Sequence, residues 1–257
     1  MRVVPLAACL FLLLSRSSSQ QTAPVVQRDP QAVALLQGSL RAMGGNVPSD
    51  SVATGNVTIV AGSRTSTGTI RILTRGTGQT SEQILFPESS ATVAYSGGLA
   101  TQTINSTATS LPFERAATSQ SLYFPLPLLA SALANSDMSL QYVGLETLNQ
   151  QSVQHIRVQN SFASQPDFRQ FADFAVFEVW LDTATGLPSR TSFVRRDGGA
   201  SAPRIPVDTY FTAYQTISSI FYPSQISVSL NGTPWATITI SSVSFNTGLT
   251  DSSFPVQ

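Results

Sequence analysis

The sequence predicts an exported, mainly β protein built on one large antiparallel sheet. Three observations predict it. From about residue 51 onward, apolar and polar residues alternate in short runs, the period of strands with one buried face. Clusters of Gly, Pro, Asn and Asp interrupt these runs roughly every ten residues, the spacing of a meander. An apolar leader precedes the whole.

The leader covers residues 1–19. Met1-Arg2 is a short positive start, Val3 to Leu14 an apolar core, and Ser17, Ser18 and Ser19 a small-residue cleavage region. A membrane-spanning helix needs about 20 apolar residues, so this stretch reads as a signal peptide. Cys9 lies inside the apolar core, which argues against lipid anchoring there; once the leader is removed, the mature chain holds no thiol. Residues 20–28 are polar and expected to be flexible, and residues 29–257 form a single domain.

Asp29-Pro30 opens a helix, with Asp29 as N-cap and Pro30 at the first helical position. Val33, Leu36, Leu40 and Met43, widened by Leu35, give it one oily face, and Gly44-Gly45 stops it. Strands follow around Val57, Ile59 and Ala61, around Ile70 and Ile72, and over 80–86, 91–95, 140–144, 153–158, 175–182, 190–195 and 208–214. The clearest are Ile226/Val228/Leu230 and Ala236/Ile238/Ile240, each alternating with Ser or Thr. Two apolar segments interrupt the strands: 124–135, with Leu126, Leu128, Leu129 and Leu133, and 165–174, with Phe168, Phe171 and Phe174. Both are expected to be short helices that cover the open face of a curved sheet.

Composition excludes several function classes. Charged residues make up 11% of the chain, against about 25% in typical soluble domains. All 14 basic residues are Arg, and without the leader's Arg2 and Arg16 twelve face 14 acidic residues, a balance of −2. A nucleic-acid partner requires a basic stripe, which is missing. His155 is the single histidine; it shares the Arg157 face of its strand and reads as a surface residue without a nucleophile or orienting carboxylate. Zinc needs His and Cys clusters, and no Gly-x-Ser-x-Gly elbow occurs. Glu82, Glu88, Glu114, Glu146 and Glu178 are scattered and form no motif. No enzymatic activity, cofactor or metal is expected.

The helix ending in Met43-Gly44-Gly45, the run Trp180-Leu181-Asp182-Thr183-Ala184-Thr185-Gly186-Leu187-Pro188, and the late Phe221-Tyr222-Pro223 and Asp251-Ser252-Ser253-Phe254 together resemble the periplasmic lipoprotein-carrier superfamily (LolA/LolB/RseB-like, outer-membrane lipoprotein sorting). The resemblance implies an unclosed antiparallel half-barrel of about ten or eleven strands wrapped around a few helices, with an apolar cavity for acyl chains. The chain departs from the sorting carriers in its length and its 160–173 insert. The carriers' functional arginine has no assigned counterpart among Arg64, Arg71 and Arg75.

On this reading the chain is a periplasmic binding or carrier protein that shelters a lipid acyl chain or other hydrophobic ligand in the half-barrel. Its cavity candidates are Leu36 and Leu40 from the helix, Ile59, Ile70 and Ile72 from strands, and Leu129, Leu133, Phe168 and Phe171 from the inserts. The alternative is a non-enzymatic envelope sensor or scaffold that docks another envelope protein.

Overall fold

The computed structural model describes residues 26–118, 123–196 and 202–257; the expected signal peptide lies outside the described residues. Among the described residues, no helix is long and apolar enough to cross a membrane. Thirteen strands form a single antiparallel sheet. They are β1 (Asp50–Ala61), β2 (Arg64–Arg75), β3 (Gln79–Leu85), β4 (Ser90–Ser96), β5 (Leu99–Ile104), β6 (Thr107–Ser110), β7 (Met138–Leu148), β8 (Gln151–Asn160), β9 (Val176–Asp182), β10 (Pro188–Arg195), β11 (Ile205–Ile217), β12 (Ile220–Leu230) and β13 (Thr233–Phe245). Their order is β6-β5-β4-β3-β2-β1-β13-β12-β11-β10-β9-β8-β7.

This order explains the architecture. The first and last strands pair at the centre of the sheet, Val57 opposite Ile238. The two edges are β6 and β7, which are consecutive in sequence and unpaired with each other. The chain between them must cross the open side of the curved sheet. That crossing carries α2 (Phe113–Thr118) and α3 (Pro125–Ala134), so the barrel stays open and its concave face receives helices. α2 packs on both β5 and β10, bridging the two wings, and α1 (Pro30–Ala42) packs on α3 and β7.

The expected count of about ten or eleven strands is corrected to thirteen. The strands missing from it are β5 and β6. Every residue of β6 is exposed, so it carries no apolar alternation, and half of its neighbour β5 is Thr and Gln. The expected helix over 165–174 is a 3-10 helix over Pro166–Phe171.

Local chemistry follows the sequence closely. The Asp29 carboxylate accepts from the Gln31 and Ala32 amides, at 2.7 and 3.4 Å, and starts α1. Arg28 reaches across to cap the C-terminal end of α3, its guanidinium donating to the Leu133 carbonyl at 2.8 Å and the Asn135 carbonyl at 3.1 Å. Hairpins turn through paired positive-φ residues, including Asn149-Gln150 (φ 48° and 67°) and Asn231-Gly232 (φ 49° and 75°). Such turns match the twist of the flanking strands. In the β9–β10 hairpin, Asp182 Oδ1 accepts from the Thr185 amide at 2.7 Å and its hydroxyl at 2.8 Å.

Gly44 is fixed by both conformation and space. Its φ is 115°, and a Cβ there would lie 2.5 Å from the Ser219 carbonyl oxygen in the β11–β12 turn. The adjacent Met43 carbonyl accepts from the Phe221 amide, tying α1 to that turn. Gly44→Ala is therefore expected to lower stability by about 1–3 kcal/mol, measured by denaturant unfolding; an unchanged midpoint would show that the turn yields freely.

The main core cluster joins α1 (Ala32, Leu36) and its C-cap Met43, α3 (Leu126, Leu129, Ala132) and the inner face of the sheet, and a smaller cluster gathers Tyr95, Ala100 and Ala116. Phe124 stacks on Tyr222 at 4.5 Å between ring centres. The Tyr222 hydroxyl is buried and has no hydrogen-bond partner, and burial pushes its ionisation well above the ordinary tyrosine range. Tyr222→Phe removes an unsatisfied polar atom and keeps the stack, so stability is expected to hold or rise by about 1 kcal/mol. A loss of more than that in a chemical melt would mean the hydroxyl has a partner in solution.

Candidate ligand-binding cavity

The concave face is not filled completely. A cavity of about 360 Å³ lies between the two wings of the sheet. One wall is Ile84 (β3), Ala91, Val93 and Tyr95 (β4) and Gln102 (β5); the other is Phe193 and Arg195 (β10), Val207 (β11), Val228 and Leu230 (β12) and Trp235 (β13). Ile59 of β1 joins the walls, and Arg115 of α2 with Tyr123 closes the side facing the helices. Period two explains the lining: Ile84 and Glu82 pair with Ile70 and Ile72 on one side, and Glu82 pairs with Val93 on the other, so all share the concave surface. The volume sits at the lower end of the roughly 300–1,000 Å³ typical of small-molecule sites.

One charged residue interrupts the apolar stripe. Glu82 projects from β3 into the cavity, and its Oε1 is buried with no hydrogen-bond partner. Burial pushes its carboxyl up to about 7, against the opposing pull of the Arg115 guanidinium and a hydrogen bond with Tyr123. The same pair drives the Tyr123 hydroxyl well above its usual value, first through burial and then through the Glu82 charge.

A second hollow of about 330 Å³ lies on the far side of α2, at the rim. Phe113, Leu128, Met138, Phe162, Phe168 and Phe177 line it together with the hairpin residues Thr77, Gly97 and Gly98. Phe113 meets Phe171 at 4.8 Å and Phe168 at 5.0 Å. The 160–173 insert is pinned there by Asp137, whose carboxylate accepts from the Ser164 amide at 3.0 Å and the Ser164 hydroxyl at 2.5 Å. α2 thus divides the two spaces, with Phe113 facing the rim and Arg115 facing the cavity.

The residues expected to line a cavity fall into three groups. Ile59 lines the inner cavity and Phe168 the rim hollow, with Phe171 packed beside it on Phe113. Leu36, Leu129, Ile70 and Ile72 are at most 2% exposed and belong to the close-packed core. Leu40 and Leu133 are partly buried against that core. The polar lining residues Glu82, Gln102, Arg115, Tyr123 and Arg195 were not anticipated. One signal was available: Glu82 has the parity of Ile84 and Phe86 and so falls on an apolar stripe.

The three arginines considered from the resemblance lie elsewhere. Arg71 donates to Gln83 on the face of β2 opposite Ile70 and Ile72, Arg75 pairs with Asp251 at 2.5 Å, and Arg64 is exposed in the β1–β2 hairpin.

His155 requires a correction. It lies on the outer face as expected, but its side chain is only 12% exposed and it does have carboxylate partners. Nδ1 lies 2.7 Å from Glu146 and Nε2 lies 3.0 Å from Glu178, while the ring stacks on Trp180 at 4.2 Å. Trp180 donates its indole N–H to Glu146 at 2.8 Å, and Arg190 lies over the same indole before reaching Asp208. The indole, then His155, hold the Glu146 carboxyl below its ordinary value. The sequence hid this ladder because its members come from five strands, β7 to β11, that pair laterally. It ties one wing of the sheet together in cross-strand register.

No protein-family model matches the sequence, and no curated protein matches it either. Solved structures do match. An outer membrane lipoprotein-sorting protein domain from Vibrio parahaemolyticus is similar at 14% identity and a TM-score of 0.58, covering 87% of this chain and 96% of that one. A LolA superfamily protein from Nitrosomonas europaea follows at 13% identity and 0.57, over 87% and 97% of the two chains. A DUF1329 family protein from Desulfovibrio piger gives 15% identity and 0.52, over 86% and 96%. At these identities the likeness is one of fold, and this chain has the LolA/LolB/RseB-like fold of an open antiparallel half-barrel wrapped around helices.

Proposed function

We propose that the protein is an exported, periplasmic carrier that holds an acyl chain or similar apolar chain in the half-barrel. The observation that carries this is the unfilled cavity on the concave face, walled by Ile59, Ile84, Val93, Val207, Val228, Leu230 and Trp235. An interior of this kind is otherwise close-packed, and an apolar chain placed in it gains about 25 cal/mol for each Å² removed from water. No cofactor is needed for such a task. The fold shared with a lipoprotein-sorting domain supports the reading.

A sensor or scaffold that docks another envelope protein is the second reading. It is favoured by the edge strand β7, where Val143 and Leu145 are 47% and 61% exposed. Native mass spectrometry of protein purified gently from its exported compartment separates the two. The carrier reading expects a lipid adduct that leaves on denaturation, while a clean apo mass moves the assignment to the docking module.

A further inference from the structure

The rim hollow beyond α2 plays no part in holding a chain in the inner cavity, and its lining differs in kind. Among the described residues that line it there is no Asp, Glu, Arg or His. Its apolar part is aromatic: the rings of Phe113, Phe162 and Phe168 lie between 5.0 and 6.3 Å apart, centre to centre. Phe168 is 38% exposed, so part of this aromatic surface is accessible. Its polar part is amides and hydroxyls, from Asn135, Asn160, Gln165, Ser131 and Thr77. Asn135 Oδ1 accepts from the Asp137 amide at 2.9 Å and Asn160 Oδ1 from the Phe162 amide at 3.0 Å. Each bond fixes its side chain and leaves the amide nitrogen without a partner among the described residues. The charges bordering the hollow are engaged elsewhere, Arg28 on the carbonyls of Leu133 and Asn135 and Asp137 on Ser164.

The backbone at this place is strained. Phe162 has a φ of 49°, a costly conformation for a residue with a bulky side chain. It persists because its neighbours are tied down: the Ser161 amide and hydroxyl both donate to the Asp137 carbonyl, at 2.9 and 2.8 Å, and Asn160 holds the Phe162 amide. Strain kept in place by surrounding bonds is characteristic of binding sites.

We propose that the rim hollow is a second binding site, which takes an uncharged sugar unit stacked on Phe168 and hydrogen-bonded by Asn135, Asn160 and Gln165. A pyranose ring has a weakly positive face of C–H groups, which matches the negative face of a phenyl ring. Its hydroxyls accept from amide N–H groups and donate to amide oxygens. A purely apolar ring would cover these amides without pairing them, and a carboxylate or phosphate would lose water with no opposite charge to replace it. The site stands apart from the carrier reading, because it requires nothing of the inner cavity.

The test is calorimetric titration of the mature chain with methyl glucoside, methyl galactoside and methyl N-acetylglucosaminide, against cyclohexanol and methyl glucuronide. At least one neutral glycoside is expected to bind about fivefold or more tightly than both comparators. Phe168→Ala should weaken that glycoside by about tenfold, and Phe168→Tyr, which keeps the ring, should restore most of the affinity. Gln165→Ala, at an exposed position, should weaken it by about fivefold with an unchanged melting curve. A fluorescent fatty probe in the inner cavity should stay bound at saturating glycoside. Failure of all three glycosides to bind, equal affinity for a comparator, or full affinity in both Phe168→Ala and Gln165→Ala overturns the proposal. Displacement of the fatty probe places the sugar in the inner cavity and overturns it too, while a probe that never binds counts against the carrier reading alone.

Discussion

Replacing Ile84 with Trp is expected to weaken chain binding by about tenfold or more while raising stability by about 0.5–2 kcal/mol. The two effects have opposite signs for one physical reason. Ile84 is only partly buried because it borders empty space on the concave face. A larger ring there occupies volume that a ligand would otherwise take, and it gains contacts that the empty cavity lacks. Val93→Trp, on the neighbouring strand β4, should act alike, which guards against one substitution failing for local reasons. Displacement of a fluorescent fatty probe reads the binding, and denaturant unfolding reads the stability. Unchanged probe affinity in both variants would place the chain elsewhere.

The second large effect is expected at Asp50, the first residue of β1. It is 4% exposed, and its carboxylate accepts from the Thr247 amide at 2.6 Å, the Thr247 hydroxyl at 2.7 Å, the Gly248 amide at 2.9 Å and the Leu249 amide at 3.1 Å. These bonds clamp the C-terminal segment that leads to the buried Phe254. Asp50→Ala leaves three backbone amides without an acceptor in a buried setting, at a cost of about 3 kcal/mol. For a domain of this size that lowers Tm by roughly 6–12 °C.

The pH dependence follows from the same geometry. Burial alone would raise the Asp50 carboxyl, but the bonds from Thr247, Gly248 and Leu249 outweigh it and hold the group below its ordinary value. Its folded value is thus lower than its unfolded one. The stabilisation is present above the unfolded carboxylate value and is lost as pH falls through the folded value. Melts across an acid series should show a steeper loss in the native chain than in Asp50→Ala. Parallel curves would mean that the clamp is not ionic.

Much of this fold is legible in the sequence because burial is one-sided. Strands such as β12 and β13 alternate cleanly, and α1 announces itself through Asp29, Pro30 and the terminal glycines. β5 and β6 are silent for the complementary reason: near an edge, neither face needs apolar residues, and β6 buries none. The site is legible only in part. Alternation leads to Ile59, yet it also leads to Ile70 and Ile72, which are buried in the close-packed core. Which inward residues meet helix and which meet empty space depends on how α2 crosses between β5 and β10. That is a long-range matter that no local pattern encodes. Glu82 and Arg195 follow the inward parity of their strands, but a charge read alone suggests the solvent side.

The most direct test of the account is to locate the chain. Crystals grown with a terminally brominated dodecanoate should show an anomalous bromine peak inside the half-barrel, among Ile59, Ile84, Val228 and Trp235. A peak against Phe113 and Phe168 at the rim, or none despite measured binding, would contradict the claim that the cavity between the two wings is where this protein holds its ligand.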